Sequence, residues 1–311
     1  MPIFKLIAVV LLGFFTNTVL ANESTREVTI SEGTIKGTHL QPESPQHDTV
    51  VLIISGSGPT DRDGNNPAMT NNSLKFLAEE LSHLGISSLR YDKRGVGESA
   101  TVDESELTFD TYINDAVNWV NFLRNELNYK KVIVAGHSEG SLIGMLVSQR
   151  ADVDKFISIA GAGSRVDHVI REQLKQHPKT VQDESDRILK ILLQGKLVED
   201  VPDFLEPLFR LSVQPYMISW LNYDPTTEIS KLEIPTLILQ GTTDLQVNLK
   251  EAQKLKLASK NAHTVVINDM NHILKTAPMD KAANFGTYND PTLPVSKELV
   301  ESISSFINDT E

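Results

Sequence analysis

The stretch Lys131-Val132-Ile133-Val134-Ala135-Gly136-His137-Ser138-Glu139-Gly140-Ser141-Leu142-Ile143-Gly144-Met145-Leu146-Val147-Ser148 decides how this chain is read. Lys131 to Ala135 has the β-branched, apolar character of a buried strand, and Leu142 to Ser148 that of a helix rich in small apolar residues. Between them stands Gly-x-Ser-x-Gly. A strand that turns sharply into a helix leaves its central serine at a strained backbone angle with the hydroxyl exposed, and the flanking glycines make room for the turn. A pentapeptide of this composition also occurs as a simple packing turn, so the strand before it and the helix after it carry the reading.

Working outward, strands and helices alternate, the pattern of a mostly parallel sheet covered on both faces. Arg26 to Ile30 and Thr34 to Leu40 flank Ser31-Glu32-Gly33 as a hairpin. Thr49 to Ile54 is a continuous apolar run that enters the loop Ser55-Gly56-Ser57-Gly58-Pro59. A helix from about Asn72 to Leu84 and a strand near Ser87 to Tyr91 follow. Phe109, Tyr112, Ile113, Ala116, Val117, Val120 and Leu123 recur at amphipathic helical spacing, and Lys155 to Ala160 reads as a further strand. The alternation then breaks. Residues 164–230 carry helical segments such as Val169 to Gln176 and Glu184 to Leu193, punctuated by prolines at 178, 202, 207, 215 and 225. Strand Pro235 to Gln240, helix Leu249 to Ala258, strand Thr264 to Ile267 and a last helix from Ser296, its expected N-cap, to Ile307 resume the pattern. The expected architecture is an α/β core, residues 22–163 and 231–311, with a helical lid inserted at 164–230.

Composition fits a soluble globular chain: 311 residues, 40% hydrophobic and 23% charged. With 29 basic against 41 acidic residues the formal charge is −12 and no basic block stands out, which argues against nucleic acid as a partner. Met1 to Lys5, the apolar run Leu6 to Phe15 and the ending Val19-Leu20-Ala21 have the three parts of a secretory signal peptide cleaved after Ala21. The run is shorter than the roughly 20 residues of a spanning helix. The expectation is an exported protein, periplasmic or secreted, with no stable membrane span after cleavage. There is no cysteine, so disulfides, thiol catalysis and thiolate metal sites are excluded and a hydroxyl is the natural nucleophile.

A serine hydroxyl needs a base, and the base an orienting carboxylate. On a sheet of this kind the chain order is Ser, acid, His. Asp244 follows the strand ending at Gln240 through Gly241-Thr242-Thr243, and His272 follows the strand ending at Ile267 through Asn268-Asp269-Met270-Asn271. Both fall in loops on the carboxyl edge, where open α/β sheets place their sites. Asp269 is the nearest competitor for the acid; His263 begins a strand and lies too early, and His137, inside the turn, is structural. Acyl transfer places negative charge on the carbonyl oxygen, which calls for backbone donors. Glu139 supplies one N–H by following the nucleophile, and Ser57 in the Gly-rich loop the other. That loop lacks the Gly-Lys-Ser/Thr ending of a nucleotide site. No metal constellation emerges and the chemistry needs no cofactor.

Three segments carry a family resemblance: Ser55-Gly56-Ser57-Gly58-Pro59-Thr60-Asp61-Arg62-Asp63-Gly64, Tyr91-Asp92-Lys93-Arg94-Gly95-Val96-Gly97-Glu98-Ser99, and Gly136-His137-Ser138-Glu139-Gly140. Together they resemble a bacterial, exported branch of α/β-hydrolase esterases whose members are described as acyl hydrolases or serine-aminopeptidase-like. In the wider family the first loop more commonly begins His-Gly, so Ser55 departs from the pattern. The resemblance implies the α/β-hydrolase fold and a carboxylic-ester hydrolase working through an acyl-enzyme on a small-molecule acyl ester, with Ser138, His272 and Asp244 as triad. It also implies a structural turn at Tyr91 to Ser99 whose Asp92, Lys93 and Arg94 make local ion pairs. Arg62 and Asp63 read either as substrate or lid contacts or as a loop-bracing pair.

Two other readings stay open: an aminopeptidase whose lid carboxylates Glu199, Asp200, Asp203 and Glu206 hold a substrate amine, and a catalytically silent binding protein on the same fold. A fluorophosphonate probe is expected to label the wild-type chain and not Ser138→Ala; equal labelling of both would sink the assignment of Ser138.

Overall fold

The computed structural model describes residues 22–45 and 48–309; the signal-peptide reading of residues 1–21 falls outside them. Eight strands form one sheet: β1 Asn22–Ile30, β2 Gly33–Gln41, β3 Thr49–Ile54, β4 Ser87–Tyr91, β5 Lys131–His137, β6 Lys155–Ile159, β7 Thr236–Gly241 and β8 Ala262–Ile267. Their order is β1-β2-β4-β3-β5-β6-β7-β8. β1 and β2 form the antiparallel hairpin, β2 meets β4 antiparallel, and all later pairs are parallel. The hairpin turn is Ser31-Glu32 alone, with Gly33 already paired to Ile30.

Period-two alternation divides the buried strands between two cores. On β3, Val50, Leu52 and Ile54 face one layer while Val51 and Ile53 face the other; on β5, Val132 and Val134 oppose Ile133 and Ala135. The first layer holds α2 (Phe109–Asn125) and α3 (Glu139–Arg150), and the second holds α1 (Ser73–His83). Thr108 begins α2 with a reciprocal capping box to Thr111. Because β4 and β6 lie on opposite sides of the β3–β5 pair, the connections after β3 and after β5 leave in opposite directions. The crevice at such a switch point opens between the loops after β3 and β5, the loops that carry Ser57 and Ser138.

Residues 166–230 contain no strand. α4 (Val166–Leu174), α5 (Lys179–Leu192), α6 (Glu206–Phe209), α7 (Gln214–Trp220) and α8 (Pro225–Ser230) follow one another. α4, α5, α6 and α7 share an apolar cluster that includes Ile170, Ile188, Leu192, Phe209 and Met217, separate from the two sheet cores. α9 (Leu249–Ala258), α10 (Lys281–Gly286) and α11 (Lys297–Asn308) complete the chain; α11 packs on the α1 face and α9 on the α3 face. Ser296 occupies the N-cap position of α11, but its side chain makes no capping bond, contrary to the role expected of it. β5 and α3 also run longer than the apolar residues alone indicate, and α4 and α5 begin earlier, since termini carry polar residues that the 3.6-residue pattern does not register. Among the described residues no helix is long and apolar enough to cross a membrane.

Charge braces the start of the helical insertion from within. Buried Asp167 accepts from Arg165 Nε at 2.7 Å and Arg171 Nη1 at 2.5 Å. Burial alone would raise its carboxyl, but the two guanidinium bonds prevail and bring it to about 2. An unfolded aspartate titrates near 3.9, so this contribution to stability is present above that value and is lost as pH falls toward about 2. The urea midpoint of Asp167→Asn is therefore expected below wild type at neutral pH, with the gap closing from pH 4 to pH 2. A gap that stayed constant over that range would contradict the assignment.

Candidate active site

β5 ends at His137, and the chain enters α3 through Ser138 at φ 55° and ψ −119°. That conformation costs on the order of 1–3 kcal/mol for a residue with a side chain. The surroundings enforce it: Ser138 N–H donates to Ile159 O at 2.9 Å, extending the register with β6. A Cβ on Gly136 would stand 2.0 Å from Gly140 O, and one on Gly140 would stand 2.4 Å from Ile54 O. Only glycine at both positions lets α3 begin against the ends of β3 and β5.

The structure brings Ser138, His272 and Asp244 together. Ser138 Oγ lies 3.1 Å from His272 Nε2, and His272 Nδ1 lies 2.8 Å from Asp244 Oδ2. Asp244 also accepts from Gln240 Nε2 at 3.0 Å and from the N–H groups of Gln246 and Val247, each at 2.8 Å. Burial would raise this carboxyl, yet the neighbouring His272 and the converging donors hold it below its ordinary value, so it is an anion beside the imidazole. The loops are clipped together by Thr242 N–H to Ile267 O at 3.0 Å, Thr243 N–H to Met270 O at 3.2 Å and Asp269 N–H to Thr242 Oγ1 at 2.8 Å. Asp269, the competing acid, is exposed and turns the chain at φ 56°. His263 lies within β8 with its side chain exposed.

His137 has a definite task. Burial, followed by the neighbouring His272, pushes its pKa down to about 3; the neutral ring thus donates from Nε2 to the His272 carbonyl at 2.8 Å. It fixes the backbone of the base from below. As the first residue of α3, Glu139 has an N–H with no intrahelical acceptor, and the Ser57 N–H likewise has no acceptor among the described residues. Ser57, Ser138, Glu139 and His272 all line one cavity of about 370 Å³, walled on the other side by lid residues such as Val169, Ile170, Leu208, Met217 and Trp220. The arrangement can activate a hydroxyl, place an acyl carbon against it and offer two backbone donors to the carbonyl oxygen. Among the described residues no group of His, Asp or Glu could hold a metal ion.

Two expectations about the flanking turns need correction. Asp92, Lys93 and Arg94 do not pair locally. Asp92 accepts from Arg62 Nη2 at 2.6 Å and Arg62 N–H at 2.8 Å, Arg94 pairs with Asp115 and Glu32, and Lys93 Nζ lies 3.7 Å from Glu139 Oε1. Arg62 and Asp63 do brace the loop, but through Asp92 and Glu98 for the first and Arg90 for the second, not through each other. Polar turn residues suggested local service because sequence distance hides what lies across a sheet edge. The available signal was topological: β4 neighbours β3, so residues just past Tyr91 reach the loop after Ile54. The lid carboxylates Glu199, Asp200, Asp203 and Glu206 are all exposed, and none lines the cavity.

The sheet order and its helix layers are those of the α/β-hydrolase fold. Residues 69–193 match the family described as "Serine aminopeptidase, S33". Esterase EstD of Thermotoga maritima is 29% identical over 266 residues, 81% of this chain and 61% of its own, so the chain spans about three fifths of that relative. Among solved structures, an esterase from Thermogutta terrifontis aligns with a TM-score of 0.56 at 18% identity, covering 92% of this chain and 98% of its own. A proline iminopeptidase from Mycobacterium smegmatis aligns with a TM-score of 0.58 at 16% identity, covering 91% and 97%. The same fold is thus found in proteins named as an esterase and as a proline iminopeptidase.

Replacing Asp244 by Asn would present an amide N–H to Nδ1, turning the imidazole to the tautomer that cannot take a proton from Ser138. Asp244→Asn is expected to slow fluorophosphonate labelling by about 10³–10⁴ without loss of folded structure by circular dichroism. Unchanged labelling would remove Asp244 from the relay.

Proposed function

We propose that this protein is a serine hydrolase that cleaves carboxylic esters, or thioesters, of small to medium acyl groups through a covalent acyl-enzyme on Ser138. The observation that carries this reading is the Ser138–His272–Asp244 hydrogen-bonded chain opening into an apolar cavity beneath the lid. Ser138 Oγ adds to the acyl carbon as its proton passes to His272 Nε2, and Asp244 stabilises the imidazolium that forms. The carbonyl oxygen, now negative, faces the N–H groups of Glu139 and Ser57. His272 returns the proton to the leaving oxygen or sulfur, and the alcohol or thiol departs. Water then adds by the same relay, and collapse of the second tetrahedral species releases the acid and restores Ser138.

The esterase name of the Thermotoga maritima relative supports the ester class. The cavity volume of about 370 Å³ and its largely apolar lid wall support a modest acyl group. An aminopeptidase needs an accessible carboxylate for the substrate amine. Among the described residues Glu139 is the only acidic one lining the cavity, and its buried carboxylate faces Lys93. The signal-like composition of residues 1–21 supports an exported protein, periplasmic or secreted.

Turnover of p-nitrophenyl acetate and butyrate, measured beside amino-acid naphthylamides, is expected to favour the esters. Ser138→Ala should reduce kcat by a factor on the order of 10⁶. Cleavage of the amides alone would overturn the esterase reading.

A further inference from the structure

We infer that Lys93 is a positioning residue for the oxyanion hole: by holding the carbonyl of Gly56 it fixes the peptide whose other end is the Ser57 N–H. Carbonyl 56 and N–H 57 belong to one planar unit and point in opposite directions. Whatever anchors the oxygen therefore aims the hydrogen. Lys93 Nζ donates to Gly56 O at 2.5 Å, and both partners are buried. The following peptide is pinned as well, since Thr60 Oγ1 donates to Ser57 O at 2.8 Å. The loop so held passes directly beside the nucleophile: a Cβ on Gly56 would stand 3.2 Å from Ser138 Cβ.

The chemistry of the neighbourhood singles out this bond. Lys93 is one of the largest fully buried side chains, and Glu139 beside it is buried too. An ammonium and a carboxylate 3.7 Å apart in an apolar setting would ordinarily close to a hydrogen bond. Here the Glu139 carboxylate stays 3.7 Å from the ammonium, with the Tyr216 hydroxyl also beside it, while the ammonium is committed to the Gly56 carbonyl. The Tyr112 ring, 5.3 Å from Nζ, closes the other side. Burial pushes the Lys93 ammonium down, and the Glu139 charge opposes that shift. Glu139 thus acts as counterion to a cation whose short contact is a peptide oxygen. A cation on the carbonyl also draws electron density from the amide, which makes the Ser57 N–H a stronger donor toward a developing oxyanion. The pair reaches the site from both donors at once, because Glu139 supplies the other N–H.

This inference rests on the proposed acyl-enzyme chemistry, and its test separates the two. The full chain would be assayed as wild type, Lys93→Met and the double variant Lys93→Met with Glu139→Gln, which removes the carboxylate that Lys93→Met would leave buried without a counterion. Three quantities are read: kcat and KM for p-nitrophenyl butyrate, the inhibition constant of an alkyl trifluoromethyl ketone, and the melting temperature. The ketone takes up Ser138 Oγ as a tetrahedral adduct with a negative oxygen, so it reports on the hole. The expected result is a loss of about 10² in kcat in both variants, a matching loss of ketone affinity, and KM within about threefold of wild type, with the double variant melting near wild type. Retention of kcat and ketone affinity would overturn the positioning role. So would a uniform loss of kcat, KM and melting temperature that persists in the double variant, since that pattern marks a structural residue. A wild-type chain that neither turns over the ester nor binds the ketone would instead overturn the hydrolase reading, and the role of Lys93 with it.

Discussion

The backbone of Ser138, held at positive φ between β5 and α3, is the constraint on which the rest of the site depends. A strained residue persists only where its surroundings over-determine it. Here a sheet hydrogen bond to Ile159 fixes the approach, and contacts too close for any side chain at Gly136 and Gly140 fix the departure. The sharp turn puts the Ser138 hydroxyl above the sheet edge and leaves the Glu139 N–H unpaired within the same stroke. It also brings the Glu139 side chain down to Lys93, so the geometry of one residue couples the nucleophile, one backbone donor and the buried ion pair.

The hydrogen-bonded Ser138–His272–Asp244 chain and the wall of the cavity come from different parts of the chain. The sheet edge supplies Ser138, His272, Asp244 and the loop with Ser57, all held by hydrogen bonds to strand ends. The lid supplies most of the apolar wall and has a core of its own. It is joined to the sheet layer through side chains such as Phe109, whose ring stacks on Trp220 at 5.5 Å between centroids and whose N–H donates to Ser219. Changes on the lid can therefore reshape the cavity while the hydrogen-bonded chain below stays fixed.

The sheet was legible because buried parallel strands write themselves as continuous apolar runs: β3 and β4 fall at Thr49–Ile54 and Ser87–Tyr91 as read from residues alone. Ser138, Asp244 and His272 could be singled out because each stands just past such a run, in the required order. What escaped were the individual hydrogen bonds made by turn side chains across the sheet edge. Lys93 looked like a turn residue with local partners, yet its acceptor is Gly56. The ring nitrogen of His137 finds a carbonyl 135 positions later in the chain. The lid escaped for another reason: short helices broken by proline have too few turns for periodicity to reveal which face is covered, so the cavity wall could not be assigned to particular residues.

The bond between Ser138 and His272 joins residues 134 positions apart, across strands β6, β7 and β8. Closing so long a loop has an entropic cost that must be met before the contact stabilises anything, and parallel sheets assembled this way form slowly. The serine also owes its backbone angle partly to Ile159, so that support is present only once β6 has docked. A chain still collapsing has a serine and a histidine but no relay between them. On the proposed acyl-enzyme chemistry, competence is thus a property of the finished sheet, and a partly folded molecule would carry its serine in an unreactive form.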